Sequence, residues 1–159
     1  MTPTFEADFP CIPGQQIRDR MAFDTTISLS GILMHRIFKT RPFTRWMRKN
    51  RMTDMQLREA VREMQDGLID ARLGGHLLKK RIALPSKGKR GSARTIVATR
   101  LTGTWIFLIG FNKNEQATIN PEELEALQQT AKAYLSLDCE QLQTLLQTDE
   151  LSEVPHAAN

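Results

Sequence analysis

Apolar positions along the chain follow different periods in successive stretches, and each period implies an element. Residues 1–33 show no sustained period and contain Pro3, Pro10, Pro13 and Gly14 before a mixed run from Thr25 to Leu33, so they read as an appendage. Met34 opens Met-His-Arg-Ile-Phe-Lys-Thr, a short strand-like segment that suits the start of a domain. Met34 is therefore read as the true initiator, with an N-terminal interaction arm as the alternative. Pro42 suits a first helical turn; Phe43, Trp46 and Met47 then recur at helical spacing as far as Asn50. Thr53 and Gln56 form a capping-box pattern ahead of a stripe of Leu57, Val61, Met64 and Leu68. That predicts a second helix from about Asp54 to Gln65, stopped near Gly67 and packed on the first as a hairpin. Arg45, Arg48, Lys49, Arg58 and Arg62 then fall on its solvated faces.

Beyond Gly74-Gly75 the period shortens. His76 to Leu84 alternates well enough for a strand, with Lys79 and Arg81 on one face. The basic loop Pro85 to Ser92 follows, and Ala93 to Leu101 is a strand rich in β-branched residues. After a turn at Thr102-Gly103, Trp105 to Phe111 is apolar at nearly every position, as a central strand covered on both faces would be. Asn120-Pro121-Glu122-Glu123 starts another helix, with Leu124, Leu127, Ala131 and Tyr134 or Leu135 as its buried stripe. Asp138 caps a last short helix carrying Leu142, Leu145 and Leu146, and the polar, acidic chain from Asp149 is expected to fray. Strand, two helices, a meander of strands and further helices describe a small α+β fold, an antiparallel sheet flanked by an N-terminal helical hairpin and C-terminal helices. Three regions result: an extension over 1–33, a domain over 34–137, and a C-terminal helix with its tail over 138–159.

Composition alters this picture in one respect. The net charge of +4 is unevenly spread. Residues 1–33 carry −2, residues 34–103 carry +13 from 18 Lys and Arg against five acids, and residues 104–159 carry −7. A block so positive favours a polyanionic partner, because it neutralises phosphates and releases their counterions. No segment has the roughly 20 apolar residues needed to cross a bilayer, and the N-terminus lacks the basic start of a secretory signal. A cytoplasmic protein without a membrane partner is expected. Cys11 and Cys139 have neither the spacing of a disulfide framework nor that of a zinc site, so they read as incidental thiols.

Three histidines, His35, His76 and His156, are too scattered for metal binding or acid–base work. The motifs GxSxG, HExxH and GxxxxGK[ST] are absent, and no metal or cofactor is implied. What remains is a set of cations on strands and loops: Lys79, Arg81, Lys89, Arg94 and Lys113. If the strands pair as a meander, these side chains converge on one face. Convergent Lys and Arg suit a phosphodiester, and arginine offers its non-bridging oxygens a bidentate fork. In RNA the 2′-hydroxyl is a built-in nucleophile, so a protein need only align it, stabilise charge on the phosphorus oxygens and move two protons. Exposed strand cations with no ligand would look the same from spacing alone.

The runs Lys79-Lys80-Arg81-Ile82-Ala83, Gly88-Lys89-Arg90-Gly91-Ser92-Ala93-Arg94 and Gly110-Phe111-Asn112-Lys113-Asn114-Glu115 resemble, in order, three motifs of the HigB-like branch of RelE-type bacterial toxins. The likeness extends from Met34 to about Leu137. It implies the α+β fold already read from the pattern and a ribosome-dependent endoribonuclease that cuts messenger RNA in the ribosomal A site without a metal. It also implies a cognate antitoxin, expected to be of the helix-turn-helix type. On this resemblance Lys79, Arg94 and Lys113 are the catalytic candidates, with Arg81, Lys89, Arg90 and Phe111 as RNA-binding candidates. Ser92-Ala93 stands where the family often has Gly-aromatic, so a ring that could stack a base is missing here. A ParE-like gyrase inhibitor and an inactive antitoxin-binding regulator are the alternatives on the same scaffold.

Overall fold

The structure is a computed structural model that describes residues 35–84, 91–100, 103–112 and 119–155. Residues 1–34, with Cys11 and the expected extension and initiator, lie outside the described residues, as do Lys89, Arg90, Lys113 and His156. The elements run β1 Arg36–Thr40, α1 Arg41–Lys49, α2 Asp54–Gln65, β2 Ala71–Gly74, β3 Leu77–Ala83, β4 Ser92–Thr99, β5 Thr104–Asn112, α3 Pro121–Leu135, α4 Cys139–Gln147 and β6 Leu151–Val154. They form the α+β fold read from the sequence.

The strands make one six-stranded sheet in the order β2-β3-β4-β5-β1-β6. Antiparallel pairing holds throughout except between β1 and β5, which are parallel, so the sheet is mixed. Each strand alternates between two cores. Ile37, Leu78, Ile82, Val97, Trp105 and Phe107 pack with α1 and α2 residues, among them Phe43, Met47, Leu57 and Met64. Their neighbours Phe38, Leu77, Ile96, Ala98, Ile106 and Leu108 turn the other way, toward α3 and α4. The two layers are unequal. Burial is nearly complete under α1 and α2, whereas α3 buries only Ala131 and α4 buries no residue fully.

Local chemistry explains the helix boundaries. Thr53 and Gln56 form the reciprocal capping box, satisfying otherwise orphaned N–H groups of α2. Asn120 caps α3 with its side chain accepting from Glu123 N at 2.8 Å, and Asp138 does the same for α4 from Gln141 N. Thr40 has two tasks: its hydroxyl accepts from Phe43 N at the start of α1 and donates to the Leu108 carbonyl at 2.7 Å. Leu108 needs that donor because the β4–β5 register slips there, with Ile96 opposite Ile109 but Val97 opposite Phe107. This bulge reverses the alternation of β5. Phe111 therefore joins the α3 core while Gly110 turns toward α1, where an added Cβ would stand 2.5 Å from the Trp46 ring.

Several expectations need correction. Residues 151–154, expected to fray, form β6 instead: it pairs with β1, buries Leu151 and Val154, and ties Glu153 to Arg36 at 2.8 Å. Its buried residues are four-residue punctuation of i and i+3, too short a run to signal a strand. Strand β2 was not anticipated, and His76 is no strand residue but the second corner of a two-residue turn in which Gly75 and His76 both have positive φ. Leu68, read as part of the α2 stripe, lies past the helix end and is 59% exposed. Cys139, read as an incidental thiol, is disulfide-bonded.

Candidate RNA-cleavage site

The candidate site forms where β3, β4 and β5 lie side by side. The ladder pairs Arg81 with Arg94 and Arg94 with Phe111, so the three make one row across the sheet. One step inward, Lys79 pairs with Ile96. Arg94 and Ile96 share a face, and Ile96 belongs to the core under α3, so Lys79, Arg81 and Arg94 all stand on that side of the sheet. Side chains directly opposed in an antiparallel pair have Cβ atoms about 4.5–5.5 Å apart, and like charges so placed repel.

Among the described residues, none of the three side chains forms an ion pair with an acid. Ion pairs join Arg36, Lys39, Arg41, Arg62 and Lys80 to carboxylates, but none reaches Lys79, Arg81 or Arg94. Arg94 goes further. It is half-buried, and its Nη1 is buried without a hydrogen-bond partner. A guanidinium held so, facing a second one, is short of an anion. A phosphate with two non-bridging oxygens would satisfy both the charge and the geometry.

The neighbours of these cations have structural tasks. Lys80, between Lys79 and Arg81, points to the other face, where its Nζ meets Glu63 at 2.7 Å and the Leu68 carbonyl at 3.0 Å. Thr95 anchors β4 to β3 by donating to the Lys80 carbonyl at 2.9 Å. Phe111 is 5% exposed and packed in the α3 core. The β5 bulge turns its ring into that core, directly across the ladder from Arg94. Ala93, where the family often has an aromatic, faces the opposite core and is fully buried.

Lys89, Arg90 and Lys113 belong to segments that leave the described fold at Leu84, rejoin it at Gly91 and leave it again at Asn112. Leu84 N donates to the Gly91 carbonyl at 2.9 Å, closing the first of these segments at its base. All three junctions are at the Arg94 end of the sheet, since Ser92 pairs with Ala83 and Ala93 with Asn112.

One feature of the site carried no sequence signal that periodicity could register. Asp70, just before β2, accepts the Arg81 backbone N–H through Oδ2 at 2.6 Å.

Comparison with protein families decides the relationship. The family described as the RelE toxin of the RelE/RelB toxin-antitoxin system matches residues 35–154. The chain belongs to the RelE toxin family. No curated protein is similar enough to count as a match. The matched region reaches past Leu137 and includes β6. A RelE-family toxin is made with an antitoxin, so this chain has an antitoxin partner. No helix among the described residues is long and apolar enough to cross a membrane.

Proposed function

We propose that this RelE-family toxin is a ribosome-dependent endoribonuclease that cuts messenger RNA in the ribosomal A site. The observation that carries the reading is Arg94, whose buried Nη1 has no partner while Arg81 faces it across the ladder. In this mechanism the 2′-oxygen of the RNA attacks phosphorus, the bond to the 5′-oxygen breaks, and a 2′,3′-cyclic phosphate is left behind. Arg94 stabilises the charge that grows on the non-bridging oxygens. Lys79 or Lys113 handles the protons, one leaving the 2′-hydroxyl and one reaching the 5′-oxygen. Arg81, Lys89 and Arg90 hold the RNA backbone. Because the nucleophile belongs to the substrate, alignment and charge stabilisation are the main tasks left to the protein, and no metal or cofactor is assigned a step.

The same reading makes residues 1–33 an extension outside the toxin domain, a cytoplasmic protein, and a helix-turn-helix antitoxin as the partner. Primer extension on cellular messages after induction tests it. Wild type should cut messages only when they are translated, and Arg94→Ala should not cut. Undiminished cutting by Arg94→Ala rejects the site assignment. Growth arrest with intact messages rejects the nuclease and favours a gyrase inhibitor, and no arrest at all favours an inactive antitoxin-binding regulator.

A further inference from the structure

Strand β2 covers only the first part of β3. It pairs Ala71 with Lys79 and runs out there, so among the described residues the outer edge of β3 has no strand partner beside Arg81. Asp70 takes the place of the missing rung. Its backbone N–H donates to the Lys79 carbonyl at 3.1 Å, and its carboxylate Oδ2 accepts the Arg81 N–H at 2.6 Å. One residue thus brackets the peptide stretch between the two cations, from the carbonyl of Lys79 to the amide of Arg81. The opposite side of that stretch is also held, because Lys80 is pulled to the other face by Glu63 and by the Leu68 carbonyl. Both anchors come from the connection between α2 and β2, residues 66–70 and the last turn of α2.

We infer that Asp70 is a positioning residue for RNA cleavage: its carboxylate substitutes for a strand partner and holds Arg81 and Lys79 in register with Arg94. This rests on the nuclease reading above. The physical case is that a strand edge whose amide lacks a backbone acceptor needs another oxygen to accept it, and that a reacting geometry tolerates little displacement. The carboxylate acts here as an acceptor for one amide. No proton transfer is assigned to it, and its charge is not the essential property.

The distinction between acceptor and charge makes the role testable with two variants. Asp70→Asn keeps a side-chain oxygen that can accept the Arg81 N–H; Asp70→Ala removes it. In single-turnover cleavage of messenger RNA on purified ribosomes, Asp70→Ala should fall about ten- to a hundred-fold, the loss expected from a small misplacement of reacting groups. Asp70→Asn should recover most of that loss. The pH–rate profile of Asp70→Asn should keep the shape of the wild type, and hydrogen exchange at the Arg81 amide should speed up in Asp70→Ala alone. Wild-type rates in Asp70→Ala overturn the inference, as does an Asp70→Asn as slow as Asp70→Ala or one that loses a limb of the pH profile. A wild type that cuts nothing overturns the nuclease reading itself and this role with it, and is told apart because the failure precedes any substitution.

Discussion

Arg81 and Arg94 stand directly opposite each other in the β3–β4 ladder, two guanidinium groups on one face with no carboxylate paired to either among the described residues. Elsewhere in the domain, Arg36 is paired with Glu153, Lys39 with Asp54 and Lys80 with Glu63, and the partly covered Arg58 donates to the Pro155 carbonyl at 2.8 Å. Of the two opposed arginines, Arg81 is exposed, whereas Arg94 is partly covered and keeps a buried Nη1 without a hydrogen-bond partner. Like charges so opposed repel, and an anion bound between them would relieve the repulsion.

Replacing Arg94 should therefore uncouple activity from stability. Arg94→Ala is expected to lose about a hundred-fold or more in cleavage, the usual scale for deleting one donor to a developing oxyanion. Its midpoint in urea should stay the same or rise, since both an unpaired buried donor and a like-charge contact disappear. Arg94→Lys should recover only a part of the rate, because an ammonium cannot reproduce the bidentate fork. A midpoint that falls together with the activity would show that Arg94 is instead a structural residue.

The crossing of α1 over β5 sets a second test. A Cβ at Gly110 would meet the Trp46 ring at 2.5 Å, in a layer where Phe43, Trp46 and Phe107 are already stacked at tilted angles. Gly110→Ala should cost about 1–3 kcal/mol by overpacking, measured by denaturant unfolding. An unchanged midpoint would mean that α1 lifts away without penalty.

Strand β6 should be indispensable although it is only four residues long. Ending the chain at Glu150 removes Leu151 and Val154, both fully or nearly fully buried, and the Glu153 partner of Arg36. Two such side chains are worth about 3–6 kcal/mol together, a large part of the stability of a domain this size. The truncated chain should unfold at markedly lower urea or fail to accumulate in soluble form. Full toxicity from it would contradict this account.

His35 gives a pH dependence of known sign. Burial holds its imidazole below the ordinary 6.5, because the charged ring is poorly solvated there. The unfolded chain then binds a proton at a higher pH than the folded one. The stability contribution is present above 6.5 and is lost as pH falls through that value toward the lowered folded one. Stability of the wild type minus that of His35→Gln, measured from pH 8 down to pH 5, should decline across this window. A flat difference would remove His35 from the acid sensitivity.

What could be read from the sequence were features decided by neighbours in the chain. Capping at Thr53, Asn120 and Asp138 depends on a side chain reaching an amide three residues on, and the ends of α2, α3 and α4 follow from it. The same holds for Lys79 and Arg81 sharing a face, since two-residue alternation is a local property of a strand. Only the tertiary structure decided which cations meet and which are taken up elsewhere. Lys80 lies between two site residues yet is committed to Glu63, seventeen positions earlier, and Arg94 faces Arg81 because of a ladder register that spans a loop. Phe111 would have followed Trp105 and Phe107 by simple alternation, but a one-residue bulge beside Leu108 turned it to the other core. Asp70 and β6 were invisible for the same reason. Each acts through a partner distant in sequence, Arg81 for one and β1 for the other, and a periodicity carries no information about a partner outside its own window.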